Sequence, residues 1–176
     1  MKLFGNRQNE NSFGSAPSSS LAGKYLVFEL AGEFYGILLQ KIQEIALVEN
    51  IITVGPMPSY ALGILEVRGN FLPVIDLRRR LNVREKKNDH RSSVLIAHIT
   101  PPDGRTLAAG FLIDGIDDVL ILPHETILET PYTLRNGLPG EFAGISRIGE
   151  GREKKTITLI NVNALLTRKD INTLLS

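Results

Sequence analysis

Few residues in this 176-residue chain could do covalent or metal chemistry. Asp114, Asp117 and Asp118, in "DGIDD", bring carboxylates close enough together to suggest a calcium loop. The alternating oxygen ligands and terminal glutamate of an EF-hand-type loop are missing, so these are read as surface acids where a strand meets a turn. Cysteine is absent, which removes disulfides, thiolate metal sites and thiol nucleophiles together. Three histidines, His90, His98 and His124, leave little for a zinc site. His98 sits in an apolar run and reads as a structural residue; the other two fall in loops without ligand spacing. Serines are plentiful, but there is no Gly-x-Ser-x-Gly elbow and no histidine placed to serve one. Neither a Gly-x-Gly-x-x-Gly fingerprint nor a P-loop occurs. No metal, no cofactor and no catalytic activity are expected.

The triplet Arg78-Arg79-Arg80 could contact phosphates. On a helix, successive residues point roughly 100° apart, so the three cannot share a face. The bulk charge gives no help, with 20 basic against 19 acidic residues and a net charge of +1. Base-stacking barrels display aromatics, and here Phe34, Tyr35 and Phe71 are candidates in a chain without tryptophan. An OB- or SH3-like nucleic-acid-binding module is therefore the rival reading, and it predicts salt-sensitive binding to single-stranded oligonucleotides. The simpler account of the triplet is a solvated helix end.

The elements that must hold these residues are short. Residues 1 to 22, rich in Ser, Asn and Gly, read as a flexible tail. "YLVFEL" and "FYGILL" around "AGE" make a hairpin. "QKIQEIALV" changes period, with Ile42, Ile45 and Ala46 on one helical face. "ENIITVGPMPSYALG" is a structured connection with a helical turn near Ser59 to Leu62. "GILEV" and "FLPVIDL" form a second hairpin across "RGN", where Gly69 supplies the positive φ of a tight turn. Pro73 cannot donate a ladder hydrogen bond, which places its strand at an edge or turns that side away from a partner. Asp76 is placed to cap a short helix that Leu77 and Leu81 tie to the core.

The charged run 84–91 divides the chain, and the rhythm then repeats: "SSVLIAHI" and "RTLAAGFLI", then "DGIDDVLIL", a long connection, and a hairpin of "EFAGISRI" and "KTITLINV". "NALLTRKDINTLL" closes as a helix starting near Asn161 or Asn163. Such a chain is mostly β and barrel-like. Its length suits one domain or two closely packed lobes, and its 43% apolar content is ordinary for a globular protein. No apolar run approaches the roughly 20 residues of a membrane span, and the N-terminus lacks a signal-peptide core, so the cytoplasm is the expected compartment.

With chemistry thin, the apolar residues in connections carry more weight. Ile51, Ile52 and Val54, and Leu62, Ile64 and Leu65 around Gly63, favour a binding module over an enzyme. "KYLVFELAGEFYGILLQKIQEI", "GILEVRGNFLPVIDLRRRL", "GFLIDGIDDVLIL" and "TLINVNALL", in this order, resemble the landmarks of the CheW coupling domain of bacterial chemotaxis. The run from Gly63 through Arg68-Gly69 to Pro73-Val74-Ile75-Asp76-Leu77-Arg78 is its most specific part.

The resemblance implies two SH3-like, five-stranded β-barrels around a shared hydrophobic core, with short helices. The domain would span residues 23–168, in two intertwined lobes divided near 84–91, with residues 169–176 a C-terminal helical end. It further implies a non-catalytic adaptor joining the cytoplasmic tips of chemoreceptors to the regulatory domain of a CheA-type histidine kinase. No nucleic acid and no membrane insertion are implied. The partner-binding positions that carry over are Leu39, Ile42, Glu44, Ile51, Gly63, Arg68, Gly69, Val94 and Gly110. Relatives usually carry Asn where this chain has Glu66, which implies an altered partner preference and a local pair with Arg68. The "ITPPDGRTLAAG" hairpin and the "GISRIGEGREKKTI" turn are longer than the family's.

Overall fold

The computed structural model describes residues 21–48, 51–84, 93–100, 104–129 and 140–175. The 1–22 tail falls almost wholly outside them, as do His90 and most of the 84–91 run. The chain begins with the hairpin β1 (Gly23–Leu30) and β2 (Glu33–Leu38), then a 3-10 turn Leu39–Lys41 and strand β3 (Ile42–Leu47). There follow β4 (Ile51–Ile52), β5 (Ala61–Val67), β6 (Asn70–Asp76) and the short helix α1 (Leu77–Arg80). The second half runs β7 (Ser93–Ile99), β8 (Leu107–Ile113), β9 (Gly115–Leu122), β10 (Ile127–Glu129), β11 (Phe142–Ile148), β12 (Lys155–Ile160) and helix α2 (Arg168–Leu175).

Among the described residues, twelve strands make two six-stranded sheets. The first has the order β10-β11-β12-β2-β1-β9 and the second β3-β7-β8-β6-β5-β4. Each contains one parallel contact, β12 with β2 and β6 with β8, and antiparallel pairs elsewhere. The mostly-β expectation holds, and the arrangement is consistent with two SH3-like barrels. Each sheet adds a strand of two or three residues, β4 or β10, to five longer ones.

The two sheets follow one plan. In chain order, β1 to β6 and β7 to β12 occupy corresponding places, so the rhythm seen in the sequence is a structural repeat. β5 and β11 share one burial pattern and one register shift, at Ala61/Gly63 and at Phe142/Gly144. Asp76 at the end of β6 and Asn161 just after β12 each cap the turn that follows. Neither sheet, however, is confined to one side of the 84–91 run. The first sheet joins β1 and β2 to β9–β12, and the second joins β3–β6 to β7 and β8. The chain passes between sheets at Leu39–Lys41 and at Asp114.

The core has three parts. A central cluster between the sheets holds Phe28, Ile37, Ile75, Leu95, Phe111 and Ile113, while one smaller cluster fills each sheet's own interior. β7 shows how alternation makes this possible: Val94 and Ile96 point into the second sheet's interior, Leu95, Ala97 and Ile99 into the central cluster. Burial on both faces explains why these strands read as unbroken apolar runs.

Several expectations need correction. "QKIQEIALV" is a 3-10 turn and the edge strand β3, not a helix. Residues 58–61 form a turn closed by Ala61 N–H donating to Pro58 O at 2.9 Å, with β5 starting at once. Pro73 lies in an interior strand rather than at an edge, and the other reading of it agrees with the ladder: pairing of β6 with β8 starts one residue later, at Val74. The final helix begins at Arg168, and Asn161 caps a separate 3-10 turn, Val162–Ala164. Thr167 and Asp170 cap α2 reciprocally: Thr167 N–H donates to Asp170 Oδ2 at 2.7 Å and Asp170 N–H to Thr167 Oγ1 at 3.2 Å.

The arginine triplet is not a solvated helix end. Arg78 is 1% exposed and pairs with Asp114, and the Arg80 guanidinium lies 2.7 Å from the fully buried Glu141. Arg79 alone of the three points outward. Among the "DGIDD" acids, Asp117 and Asp118 are at the surface as expected, and Asp114 is not. His98 is exposed, the one residue of β7 that breaks an otherwise inward run.

Candidate protein-interaction surface

Strand β3 is an unpartnered edge of the second sheet, and its two faces differ. A bulge between Ile42 and Glu44 puts Ile42 opposite Ala97 and Ile45 opposite Leu95, two residues of the central cluster. Ile42, Ile45 and Leu47 thus continue the central core's apolar surface out to the edge. Leu39 and Ile42 are half-buried against that core, while Ile45 and Leu47 are 49% and 64% exposed. Leu39, Ile42, Ile45 and Leu47 together form an apolar band along this edge.

The other face carries Glu44, opposite Ile96. Arg68 reaches it from the β5–β6 turn, its Nη2 donating to Glu44 Oε2 at 3.1 Å. Both turn residues, Arg68 and Gly69, have positive φ (52° and 80°), the two-residue pattern that suits the strands' twist. An arginine in the left-handed region is disfavoured by about 1 kcal/mol, so this side chain is displayed where Asn or Gly would be easier to fold. The expected pair with Glu66 is not formed; Glu66 is exposed and lies across the strands from Phe71.

Beside this ion pair is a cleft of about 420 Å³, lined by Gln43, Arg68, Phe71, Pro73, His98 and Leu107 among others. It opens because the β6–β8 ladder runs only from Val74 to Asp76, leaving the Asn70–Pro73 end of β6 apart from Leu107 and Ala108. Phe71, 61% exposed, stands at its mouth.

Three of the remaining expected residues, Gly63, Val94 and Gly110, lie inside. Val94 is fully buried, and a Cβ on Gly110 would fall 2.7 Å from Val94 Cγ1, so these two positions meet within the second sheet. Gly63 has φ +149°, and a Cβ there would lie 2.2 Å from Ile52 O of β4. Ile51 is half-buried beneath that edge, with Ile52 exposed beside it. Leu39, Ile42 and Ile51 therefore sit at rims, Glu44 with Arg68 and Gly69 at the surface, and Gly63, Val94 and Gly110 in the framework below.

Sequence reasoning missed a second edge. On β9, Ile116 and Val119 lie opposite Phe28 and Leu26 of the central cluster, again across a bulge, and Ile121 follows at 76% exposure. With Leu128 on β10, they repeat on the first sheet what Ile42, Ile45, Leu47 and Ile52 do on the second. The three-residue step from Ile116 to Val119 matches that from Ile42 to Ile45 and was the available signal. Lys155 flanks this edge, 2.6 Å from Asp117 and 4.2 Å from the Phe34 ring centre.

Among the described residues no group of three or more His, Cys, Asp or Glu is placed to hold a metal, and no helix is long and apolar enough to cross a membrane. Two sheets with exposed apolar edges and an ion pair at one rim define a docking scaffold of the β class. The chain belongs to the CheW-like domain family, whose model matches residues 24–170. It is 28% identical over 163 residues to the chemotaxis protein CheW of Klebsiella aerogenes, covering 90% of this chain and 93% of that one. It is 26% identical to the Bacillus subtilis chemotaxis protein CheW, covering 83% and 88%. The crystal structure of the scaffolding protein TtCheW from Thermoanaerobacter tengcongensis superposes with a TM-score of 0.70, at 24% identity over 89% of this chain and 95% of that one, a likeness of fold.

Proposed function

We propose that this protein is a non-catalytic chemotaxis adaptor that couples the cytoplasmic tips of chemoreceptors to the regulatory domain of a CheA-type histidine kinase, in the cytoplasm at membrane receptor arrays. The observation that carries the reading is the two-faced edge strand β3: an apolar band of Ile42, Ile45 and Leu47 on one side, Glu44 paired with Arg68 on the other. Apolar side chains held in a rigid strand and lying side by side at an unpaired edge bury area on association with little ordering cost. The ion pair at the rim contributes orientation and partner choice more than affinity. Family membership and the relatives named chemotaxis protein support the same reading.

The partner-binding residues in this reading are Leu39, Ile42, Glu44, Ile51, Arg68 and Gly69, joined by Ile45 and Leu47, with Gly63, Val94 and Gly110 keeping the edge in register. The test is reconstitution with a receptor fragment and the kinase, following receptor-dependent kinase phosphorylation. Ile45→Asp is expected to abolish the stimulation with the melting temperature unchanged. Full stimulation by that variant would refute the assignment of this edge.

A further inference from the structure

We propose that helix α1 is a keystone whose buried arginines set the angle between the two sheets, with Arg78 held by Asp114 and Arg80 by Glu141. A helix of four residues has no stability of its own, so its surroundings must fix it. Asp76 caps it, accepting from Arg78 N–H at 3.0 Å and Arg79 N–H at 3.3 Å. Leu77 and Leu81 enter the central cluster beneath. The helix continues β6 of the second sheet, and both arginines reach from it to the first.

Arg78 meets Asp114, the residue where the chain crosses from β8 to β9 and so from one sheet to the other. Asp114 Oδ2 also accepts from Ala31 N–H at 2.6 Å, in the β1–β2 turn, where Ala31 is held at φ 54°. Two residues on, about 200° around the helix axis, Arg80 points elsewhere. Its Nη1 lies 2.7 Å from Glu141 Oε1, just before β11, and its Nε donates to Leu165 O at 2.6 Å, just after the turn that ends β12. Tyr60 covers the guanidinium, its ring centre 5.6 Å away, and donates in turn to Asp170 of α2. The second sheet therefore grips the first at both ends of one short helix.

Such pairs are poor sources of stability, because desolvating two charges offsets most of their attraction. They supply direction. The central cluster between the sheets is apolar, and apolar contact does not by itself choose an angle. Ion pairs anchored at fixed points do, together with the directed bond from Arg80 Nε to Leu165 O. The proposed partner edge β3 and the exposed apolar edge β9 lie on different sheets, so on the functional reading above the keystone also fixes how a partner on β3 is held relative to the β9 edge. The keystone itself needs no partner for its test.

Since the chain has no cysteine, Glu66→Cys on β5 and Thr156→Cys on β12, both exposed, give one spin label per sheet. Pulsed electron-spin distance measurement on the full chain should give one narrow distribution. Adding Arg80→Met with Glu141→Leu, or Asp114→Asn alone, which keeps an acceptor for Ala31 N–H, should broaden it while melting stays cooperative. Broadening in either variant that melts cooperatively supports the keystone. Unchanged widths in every variant that folds, or loss of cooperative melting in both, would overturn it.

Discussion

Arg68 Nη2 and Glu44 Oε2 stand 3.1 Å apart although the two residues are 24 positions apart in the chain. The contact joins the β5–β6 turn to the rim of β3, and the Arg68 side chain is 76% exposed. A pair this open contributes about 0.2–1 kcal/mol to folding, so its position on the surface matters more than its energy.

Arg68→Ala and Glu44→Ala should each leave the melting temperature within a few degrees of the parent. Both should weaken partner capture, and the double variant should lose less than the sum of the two. A pull-down series combined with thermal melts checks this. Additive losses would show that the two side chains act on partners separately.

Substitution at two neighbouring β-strand positions should separate docking from folding. Leu47→Asp changes an exposed edge residue and should keep native stability while reducing partner binding. Val94→Asp places a carboxylate in a fully buried site and should unfold the chain. Urea unfolding of both variants, with binding measured on whichever folds, gives the comparison.

Gly110→Val should destabilise by about 1–3 kcal/mol, since its added carbons meet Val94 and Val74 inside the second sheet. Gly63→Ala should loosen β4 from β5, because its Cβ would meet backbone rather than a movable side chain. Hydrogen exchange of the β4 and β5 amides reads that loosening directly. Unchanged protection there would contradict the close approach.

Asp170 should make the docking of α2 sensitive to acid. Burial alone would raise its carboxyl's pKa, but hydrogen bonds from Thr167 and Tyr60 and the nearby Arg80 charge together hold it below its ordinary 3.8. A carboxylate depressed in the folded state stabilises fully above its unfolded value, and that contribution fades as pH falls through the folded one. The melting temperature of the parent should exceed that of Asp170→Asn at neutral pH, and the gap should close as the pH drops below about 4. A gap independent of pH would assign the effect to packing.

The hairpins, the Arg68-Gly69 turn and the Asp76 cap were legible because each depends on residues close in sequence. β3 was not, and its bulge explains why. The inserted residue moves the next inward side chain from a two-residue to a three-residue step, so Ile42 and Ile45 imitate helical spacing while lying in a strand. The buried arginines were illegible for a different reason. Their acids, Asp114 and Glu141, come from distant strands, and only the folded chain brings them to α1. Of the expected partner positions, Glu44 and Arg68 form an ion pair, whereas Val94 and Gly110 meet each other inside the second sheet.

The exchange of strands between the halves has a consequence for how such a chain can be divided. A backbone cut between Arg84 and Ser93 would yield two fragments, each owning strands that complete the other's sheet. Neither piece could satisfy its ladders alone. Mixed together, they have the makings of a noncovalent heterodimer, with the two duplicated segments clasped like folded hands.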